Sequence, residues 1–370
     1  MSGSTALKLI TRIEDLPPLL RDSITPEESA FIRTLKQEGR LPLGVTPFYA
    51  SLALPGLDDP IRKQCIPDPR EAITTPFETV DPLGAASYNA APRLVHQYRD
   101  RVLLLTHGTC PGYCRHCFRR DWISSPEGFI TEKEIRDVSN YIQNHTEVRE
   151  ILLSGGDPLV APDRALERLF SVLRESRKDL LLRVGSRVPV TAPGRVTPGL
   201  AELLARFKPL RLVVHINHPR ELAPEVREGL ERVVSAGIPV HTQTVLLRGI
   251  NDDAETLASL FRESLNTGIS PYYLLQGDLA PGTGHLRVNL RRGIDIYREL
   301  KGLISGLGYP HYALDLPGGG GKVMLHESSI IEERDSPRGW VYILKDSRGK
   351  TYEYPREHPD GQGLVLGNID

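Results

Sequence analysis

Three of the chain's four cysteines are concentrated in one short stretch, HGTCPGYCRHCFRR at residues 107–120, as Cys110, Cys114 and Cys117. Thiolates this close together can bind a metal. A structural zinc site would need a fourth ligand, for which Cys65, His107 or His116 are candidates. Three thiolates on one loop also suit a 4Fe–4S cluster that leaves one iron open to another ligand. The spacing favours the cluster, while a zinc knuckle or chance clustering stays open.

A run of four glycines followed by a lysine, PGGGGK at residues 317–322, is the second candidate site. Consecutive glycines stabilise neither a helix nor a strand. A nucleotide-binding P-loop needs separated glycines and a Ser or Thr after the lysine, whereas Val323 follows Lys322. We therefore interpret the run as a loop that lets Lys322 approach a planar cofactor. Its amine could form a Schiff base with pyridoxal 5′-phosphate (PLP), and a flexible loop without function is the alternative.

The bulk composition narrows the class of protein. Hydrophobic residues make up 39% and charged residues 25% of the 370 residues, and the formal net charge is −1. This charge favours neither nucleic acid nor a membrane surface as a partner. No apolar run predicts a membrane-spanning helix, and Glu14 and Asp15 interrupt the stretch where a secretion signal needs an apolar core. We expect a cytoplasmic protein without a disulfide framework.

Short apolar segments alternate with amphipathic segments after residue 101. The predicted strands are 102–106, 150–155, 180–186, 211–217, 239–247 and 270–276, and the predicted helices are 131–145, 163–176, 197–207, 223–237, 253–268 and 291–306. Apolar strands that alternate with helices predict a parallel sheet covered by helices. Six such units favour an α/β fold with a partial (β/α)6 barrel over an open sheet.

Residues with possible chemistry follow the predicted strands one after another. They are Cys110, Gly155–Asp157, Ser186 and Arg187, His215–His218, and Asp278. Because the carboxyl ends of barrel strands meet at one face, we expect these residues to share one site.

The flanking segments differ from the barrel pattern. Residues 1–95 are rich in proline, with helical pieces near 27–38 and 68–74, and predict a helical extension. The barrel is expected over 96–312, and the lysine loop with a small β-rich tail over 313–370. Alternation on both sides of a Ser-Arg-Gly turn predicts a hairpin over 340–354.

Taken together, the motifs resemble the lysine 2,3-aminomutase family of radical S-adenosylmethionine (SAM) enzymes. CPGYCRHCFRR, LLSGGDPL, GSRVPV, HINHP, QTVLLRGIND and PGGGGK occur in the family's order, over roughly residues 85–330. The resemblance implies a radical SAM barrel with a 4Fe–4S cluster, SAM and PLP as cofactors. It implies an isomerase that moves an amino group between C2 and C3 of a free amino acid, with L-lysine to L-β-lysine as the favoured reaction. An electron donor of the flavodoxin or ferredoxin type is also implied.

The resemblance assigns cofactor roles to individual residues. It implies that the cluster ligands are Cys110, Cys114 and Cys117. It implies that Lys322 is the catalytic PLP lysine and that Arg101 contacts the PLP phosphate. The implied SAM contacts are Ser154, Gly155, Gly156 and Asp157, and the implied lining of the SAM and PLP site includes His215 and Gln243. Gln97 stands where the family has a second phosphate-binding arginine, and Arg99 is its candidate replacement. Since no cysteine follows Cys117, we expect no zinc between subunits. A homo-oligomer formed through the N-terminal helices is a further expectation.

The resemblance also assigns a substrate site. It implies Arg119 as the partner of the α-carboxylate, which a guanidinium can bind through two parallel hydrogen bonds. It implies Asp278 and Asp315 as partners of the lysine ε-ammonium, whose desolvation two carboxylates can offset. The same pair argues against glutamate, because like charges repel. Arginine as substrate, a lysine of elongation factor P, another radical SAM reaction, and a non-enzymatic zinc or Fe–S module stay open.

Overall fold

The computed structural model describes residues 8–123 and 128–357, and a ten-stranded sheet forms its centre. The strands lie in the sheet in chain order: β1 (Asn89–Ala91), β2 (Leu94–Tyr98), β3 (Arg101–His107), β4 (Glu150–Gly155), β5 (Leu181–Ser186), β6 (Leu210–His215), β7 (Val240–Val245), β8 (Ser270–Leu275), β9 (His311–Leu316) and β10 (Gly321–Met324). Strands β3 to β9 are parallel to one another. The β1–β2 hairpin and β10 add antiparallel strands at the two edges.

Helices precede the sheet and connect its strands. They are α1 (Pro18–Arg21), α2 (Pro26–Thr34), α3 (Pro47–Ser51), α4 (Arg62–Cys65), α5 (Arg120–Ile123), α6 (Glu132–Asn144), α7 (Asp163–Ser176), α8 (Val188–Thr191), α9 (Pro198–Arg206), α10 (Pro224–Ser235), α11 (Ala254–Asn266) and α12 (Leu290–Lys301). Local sequence fixes where α6 begins, because the Thr131 side chain accepts from the N–H of Glu134 and the Glu134 carboxylate accepts from the N–H of Thr131. Within described residues 8–123 and 128–357, no helix has the length and apolar composition needed to cross a bilayer.

The alternation of burial along the strands shows which face of the sheet carries the site. In β3, Val102, Leu104 and Thr106 are buried, whereas the residues between them are partly exposed. Strands β4, β5 and β7 repeat this alternation. One face therefore packs under the helices, and the other lines an open central cavity. This arrangement confirms the partial barrel predicted from the sequence.

The predicted strands and helices of the barrel are confirmed as β3–β8 and as α6, α7 and α9–α12. The sequence missed β9 and β10, which extend the sheet into the glycine run, and the β1–β2 hairpin. The suggested limits at residues 95/96 and 312/313 each fall inside a strand of this sheet, so the division into domains stays a prediction. In the N-terminal extension, the predicted helical pieces correspond to α2 and to a short 3-10 helix at Pro69–Ala72.

A second, three-stranded sheet follows the barrel, made of β11 (Glu332–Arg334), β12 (Val341–Lys345) and β13 (Thr351–Pro355). The predicted hairpin is confirmed, since β12 and β13 pair antiparallel. The hydroxyl of Tyr354 donates to the carbonyl of Gly277 at 2.9 Å and accepts from Gln276 at 3.1 Å. The tail therefore fixes the loop that carries Asp278.

The two edges of the large sheet are joined by hydrogen bonds that do not belong to a strand pair. The side chains of Tyr88 and Gln97 both donate to the carbonyl of Gly319, each at 3.1 Å. The N–H of Lys322 donates to the hydroxyl of Tyr98 at 2.9 Å, and the N–H of Gly318 donates to the carbonyl of Pro82 at 3.1 Å. We call this junction the seam.

Candidate active site

The cysteine loop, residues 108–119, follows β3 at the carboxyl end of the parallel strands. Cys110, Cys114 and Cys117 are partly exposed and are not in disulfides. Burial of the sulfur atoms raises the pKa of Cys110, and raises the pKa of Cys117 to about 12. Cys110 and Cys117 therefore need a nearby cation in order to ionise, and a bound metal group would supply it. In the described part of the chain, no three His, Cys, Asp or Glu side chains are arranged to hold a single metal ion.

The N-terminal extension holds the cysteine loop in place. The N–H of Tyr113 donates to the carbonyl of Gly44 at 2.8 Å, and the N–H of Arg115 donates to the carbonyl of Gln64 at 3.1 Å. A Cβ atom at Gly44 would lie 2.4 Å from the Tyr113 ring, so only glycine allows this contact. The extension is thus part of the site, although sequence reasoning had taken from it only Cys65, as a candidate zinc ligand.

A buried carboxylate strengthens this attachment. Arg115, between two of the cysteines, is fully buried and donates to both carboxylate oxygens of Glu71, at 2.8 and 2.5 Å. Arg120 donates to the same carboxylate at 2.6 Å. Burial opposes ionisation of Glu71, but Arg115 and Arg120 outweigh it and lower its pKa. Sequence reasoning missed Glu71, because nothing in the sequence distinguishes it from a surface acid.

The glycines after β4 pack directly against the cysteine loop. The N–H of Gly156 donates to the carbonyl of His107 at 2.6 Å, and the N–H of Asp157 donates to the carbonyl of Thr109 at 2.9 Å. A Cβ atom at Gly156 would lie 2.3 Å from that Thr109 oxygen, and Gly155 has a φ of +113° that favours glycine. These glycines are therefore required by the cysteine loop itself.

Asp157 connects the ends of two neighbouring strands. Its carboxylate accepts from the N–H groups of Arg187 and Val188, at 2.6 and 3.0 Å, and from the hydroxyl of Ser186 at 2.8 Å. Burial raises the pKa of Asp157 despite these donors. The side chain is fully engaged with the turn after β5, so in this structure it positions that turn.

The residues expected to bind the substrate come together in the cavity. The guanidinium of Arg119 donates to the hydroxyl of Ser154 at 3.4 Å. Burial lowers the pKa of Arg119, while the nearby Cys117, Asp278 and Asp315 act in the opposite direction. One cation and two carboxylates therefore lie within electrostatic reach of each other, beside the cysteine loop.

Asp278 lies close enough to Asp315 for the two carboxyl groups to interact. Burial, reinforced by the neighbouring Asp315 carboxylate, raises the pKa of Asp278 to about 7. Lys322 and Arg119 oppose this rise without cancelling it. A carboxyl group with this pKa is only partly ionised near neutral pH, so an additional cation between the aspartates would be stabilised.

The glycine run places Lys322 opposite Asp315. The two residues are cross-strand partners on β10 and β9, with the lysine Nζ 2.5 Å from the carboxylate Oδ2 and 5.1 Å from the centre of the Tyr273 ring. The guanidinium of Arg101 lies 4.1 Å from the centre of the Tyr98 ring, and the Tyr98 hydroxyl accepts from the N–H of Lys322. An amine with an aromatic ring beside it and an arginine close by fits an aldehyde cofactor that bears a phosphate. Gln97 holds the loop through Gly319, as described for the seam.

The structure shows two further reasons for the four glycines. Gly318, Gly319 and Gly321 have positive φ angles of 64°, 88° and 81°, which the tight turn between β9 and β10 requires. A Cβ atom at Gly320 would lie 2.6 Å from both Leu316 and the Tyr352 ring. The run is therefore needed for the turn and for packing against tyrosines, and this turn brings Lys322 into the cavity.

His215 and Gln243 are neighbours on the inner face, paired across β6 and β7. The N–H of Val245 donates to Asn217 Oδ1, which also lies 3.0 Å from His215 Nε2. His215 therefore carries its proton on Nε2. Burial lowers the pKa of His215 to about 3, so the imidazole is neutral.

A model of the radical SAM superfamily matches residues 104–261 of the chain. The chain is 44% identical over 320 residues to a protein of Treponema pallidum provisionally named L-lysine 2,3-aminomutase, with 84% of this chain and 89% of that protein covered. It is 38% identical over 349 residues to the L-lysine 2,3-aminomutase of Fusobacterium nucleatum, with 94% and 80% covered. It is 33% identical over 339 residues to the glutamate 2,3-aminomutase of Clostridioides difficile, with 91% and 78% covered.

These similarities confirm the resemblance seen in the motifs. The superfamily's cofactors are a 4Fe–4S cluster and SAM, and the lysine 2,3-aminomutases also depend on PLP. The three thiols of the cysteine loop and the amine of Lys322 fit these cofactors chemically. The chain belongs to the lysine 2,3-aminomutase family, isomerases of the radical SAM superfamily.

Proposed function

We propose that the protein moves the amino group of free L-lysine from C2 to C3 and so forms L-β-lysine. The observation that carries this proposal is the charge pattern of the cavity. Arg119 lies within electrostatic reach of Asp278 and Asp315, and the Asp315 carboxylate already binds the amine of Lys322 at 2.5 Å. A site that holds one ammonium group in this way is suited to a second ammonium group from a substrate.

The charges of lysine complement those of the cavity. Its α-carboxylate pairs with the guanidinium of Arg119, and its ε-ammonium pairs with Asp278 and Asp315. Binding the ammonium group also stabilises the ionised form of Asp278, whose pKa burial has raised to about 7. Both ends of the substrate are then fixed, and the carbon atoms between them are oriented for hydrogen abstraction.

The cofactor contacts are part of the same proposal. Cys110, Cys114 and Cys117 hold the cluster, and the segment Ser154–Asp157 with His215 and Gln243 lines the SAM and PLP site. Lys322 holds PLP, and Arg101 binds its phosphate. Bound PLP supplies the carbonyl group that carries the migrating amine, and the cluster with SAM supplies the radical. The assignment is supported for four of these residues by their positions on the inner face, namely Arg101, Ser154, His215 and Gln243.

The identity of the substrate depends on Asp278 and Asp315 rather than on the family name, because a relative is named for glutamate. A glutamate side chain would bring a third carboxylate to two that repel each other, an interaction that adds to burial in raising the pKa of Asp278. A guanidinium would be accepted by the same pair, so arginine is the second candidate.

The enzyme needs a one-electron donor, and we propose a flavodoxin or ferredoxin type. A homo-oligomer stays a prediction.

An anaerobic assay of the reconstituted enzyme tests the substrate. Lysine, arginine, ornithine and glutamate are each supplied with SAM and dithionite, and the products are separated and identified by mass spectrometry. Conversion of lysine to β-lysine, with SAM not consumed in proportion to product, supports the proposal. A higher kcat/KM for arginine, or conversion only of a lysine within elongation factor P, would replace it. Asp315→Asn should raise the KM for lysine and leave iron content unchanged, since Asp315 does not contact the cysteine loop.

A further inference from the structure

A buried arginine contacts the middle cysteine of the loop. Arg187 follows β5 directly, and its side chain is 8% exposed. One terminal nitrogen, Nη1, lies 2.6 Å from the sulfur of Cys114. The function derived above gives this residue no role, and the sequence analysis placed it only among the strand-end residues expected to share one site. An arginine remains charged at all relevant pH values, so a fixed positive charge lies against a cluster ligand.

The other terminal nitrogen of Arg187 is held by three elements. Nη2 lies 2.6 Å from Glu221 Oε1, 2.6 Å from Gln64 Oε1 and 2.9 Å from the hydroxyl of Tyr49. Tyr49 is on α3 and Gln64 on α4, whereas Glu221 follows β6. The backbone is fixed as well, because the N–H of Arg187 donates to Asp157. The guanidinium therefore has one orientation, in which Nη1 points to the sulfur.

The counter-charge lies on the far side of the guanidinium. Glu221 is fully buried, and its carboxylate accepts from Nη2 of Arg187 and from the N–H groups of Asn217 and His218, at 2.5 and 2.9 Å. The cationic end of this ion pair thus faces Cys114, and the anionic end faces away. Because electrostatic interactions in a buried site are strongest at short range, the guanidinium acts on the sulfur more strongly than the more distant Glu221 carboxylate does.

We propose that Arg187 is a positioning residue that sets the reduction potential of the cluster. It donates an N–H to the Cys114 thiolate and stabilises the cluster after one electron has entered from a low-potential donor. Hydrogen bonds to ligand sulfurs and nearby charge are the means by which proteins tune Fe–S potentials. A cation at this place favours the more negative, reduced cluster, and so raises its potential. The proposal rests on the cluster and not on the proposed substrate.

The test is a redox titration of the reconstituted protein without amino acid, followed by electron paramagnetic resonance of the reduced cluster. Arg187→Gln should keep the cluster and shift its midpoint potential to a more negative value, whereas Arg187→Lys should lie nearer to wild type. Arg62→Gln is the matched control, since Arg62 is equally buried, pairs with Glu28 and contacts none of the three cysteines of the loop. An unchanged potential in Arg187→Gln would overturn the proposal, as would an equal shift in Arg62→Gln.

A second variant decides the case if Arg187→Gln cannot retain the cluster. Glu221→Gln removes the counter-charge and leaves the arginine in place, so the midpoint potential should become less negative. Loss of the positive charge in Arg187→Gln and of the negative charge in Glu221→Gln should thus shift the midpoint potential in opposite directions. Residues that only support the fold would not give this pattern. A more negative or unchanged potential in Glu221→Gln would overturn the proposal. Since the titration contains no lysine, neither result depends on which amino acid the enzyme accepts.

Discussion

Lys322 and Asp315 face each other across the β9–β10 hairpin, with the lysine Nζ 2.5 Å from the carboxylate Oδ2. They are seven positions apart in the chain, and the glycine turn between the two strands makes them direct cross-strand partners. The proposed PLP lysine and one proposed substrate carboxylate thus belong to a single structural unit. A cofactor bonded to the amine would break the ion pair between Lys322 and Asp315, and this carboxylate would then be available to a substrate cation.

Replacing Lys322 by alanine should abolish covalent binding of PLP. The visible absorbance of lysine-bound PLP should disappear, and borohydride reduction should no longer fix the cofactor to the chain. Lys350→Ala is the control, because Lys350 lies in the β12–β13 turn of the tail and contacts Tyr352. Retention of the absorbance in Lys322→Ala would mean that another lysine holds the cofactor.

The affinity for lysine should depend on pH through Asp278. The raised pKa of about 7 means that Asp278 is mostly neutral below this pH and mostly ionised above it. Since only the carboxylate attracts the ε-ammonium, kcat/KM for lysine should increase as the pH rises through about 7. Asp278→Asn should lower kcat/KM and remove this rise. A profile with the same rise in Asp278→Asn would assign the titration to another group.

Glu71→Gln should weaken retention of the cluster, because it breaks the pairing with Arg115 inside the cysteine loop. Glu28→Gln is a close control. Like Glu71, Glu28 caps a helix and is buried. It likewise binds an arginine, Arg62, through both carboxylate oxygens.

Both variants should lose thermal stability, since breaking a buried ion pair costs about 3–5 kcal/mol. Iron and sulfide per chain after anaerobic reconstitution should fall only in Glu71→Gln. Equal iron content in the two variants would show that Glu71 stabilises the fold without positioning the cysteine loop.

Gly156→Ala should displace the cysteine loop, because the added Cβ would lie 2.3 Å from the carbonyl oxygen of Thr109. Overpacking of this kind costs about 1–3 kcal/mol. We expect lower iron content and weaker SAM binding, measured by equilibrium dialysis. Gly194→Ala should leave both unchanged, since a Cβ there meets no atom within 4 Å. Full iron content in Gly156→Ala would show that the loop can shift without loss of the cluster.

Gln97→Ala should weaken PLP binding by loosening the lysine loop, as it removes the hydrogen bond to the carbonyl of Gly319. The loss of one such bond, about 1 kcal/mol, corresponds to about a five-fold increase in Kd. Fluorescence titration of the apoenzyme with PLP measures it. The exposed Gln143→Ala should match wild type. An unaltered Kd in Gln97→Ala would mean that the loop is held well enough by Tyr88 and Tyr98.

The sequence predicted those parts of the protein that depend on local pattern. The strands from β3 to β8 alternate with amphipathic helices, and the cysteines follow β3 as expected. The glycine run obscured β9 and β10, because glycine has low strand propensity and the pairing depends on a turn that only the folded chain shows. The packing of the glycine run could not be predicted either, since Tyr352, which packs on Gly320, is distant in sequence.

The buried polar contacts could not be predicted from the sequence. Arg187 and Gln64 are 123 positions apart, and Arg115 and Glu71 are 44 positions apart. In the sequence, Gln64, Glu71 and Arg115 resemble ordinary polar surface residues, and Arg187 is recognisable only as a strand-end residue. Only the folded chain shows that they are buried and joined to the cysteine loop. The N-terminal extension, which lies outside the recognisable motifs, therefore supplies Gln64 and Glu71 to the surroundings of the cysteine loop.

The seam has a mechanical consequence for the wall of the cavity. It is held by four hydrogen bonds, at Tyr88, Gln97, Tyr98 and Pro82, and none of them belongs to a strand pair. Each contributes about 1 kcal/mol, so thermal fluctuation can part these contacts while every inter-strand ladder stays intact. We therefore expect local opening of the barrel wall to begin at the seam, next to Lys322, before any strand pair separates.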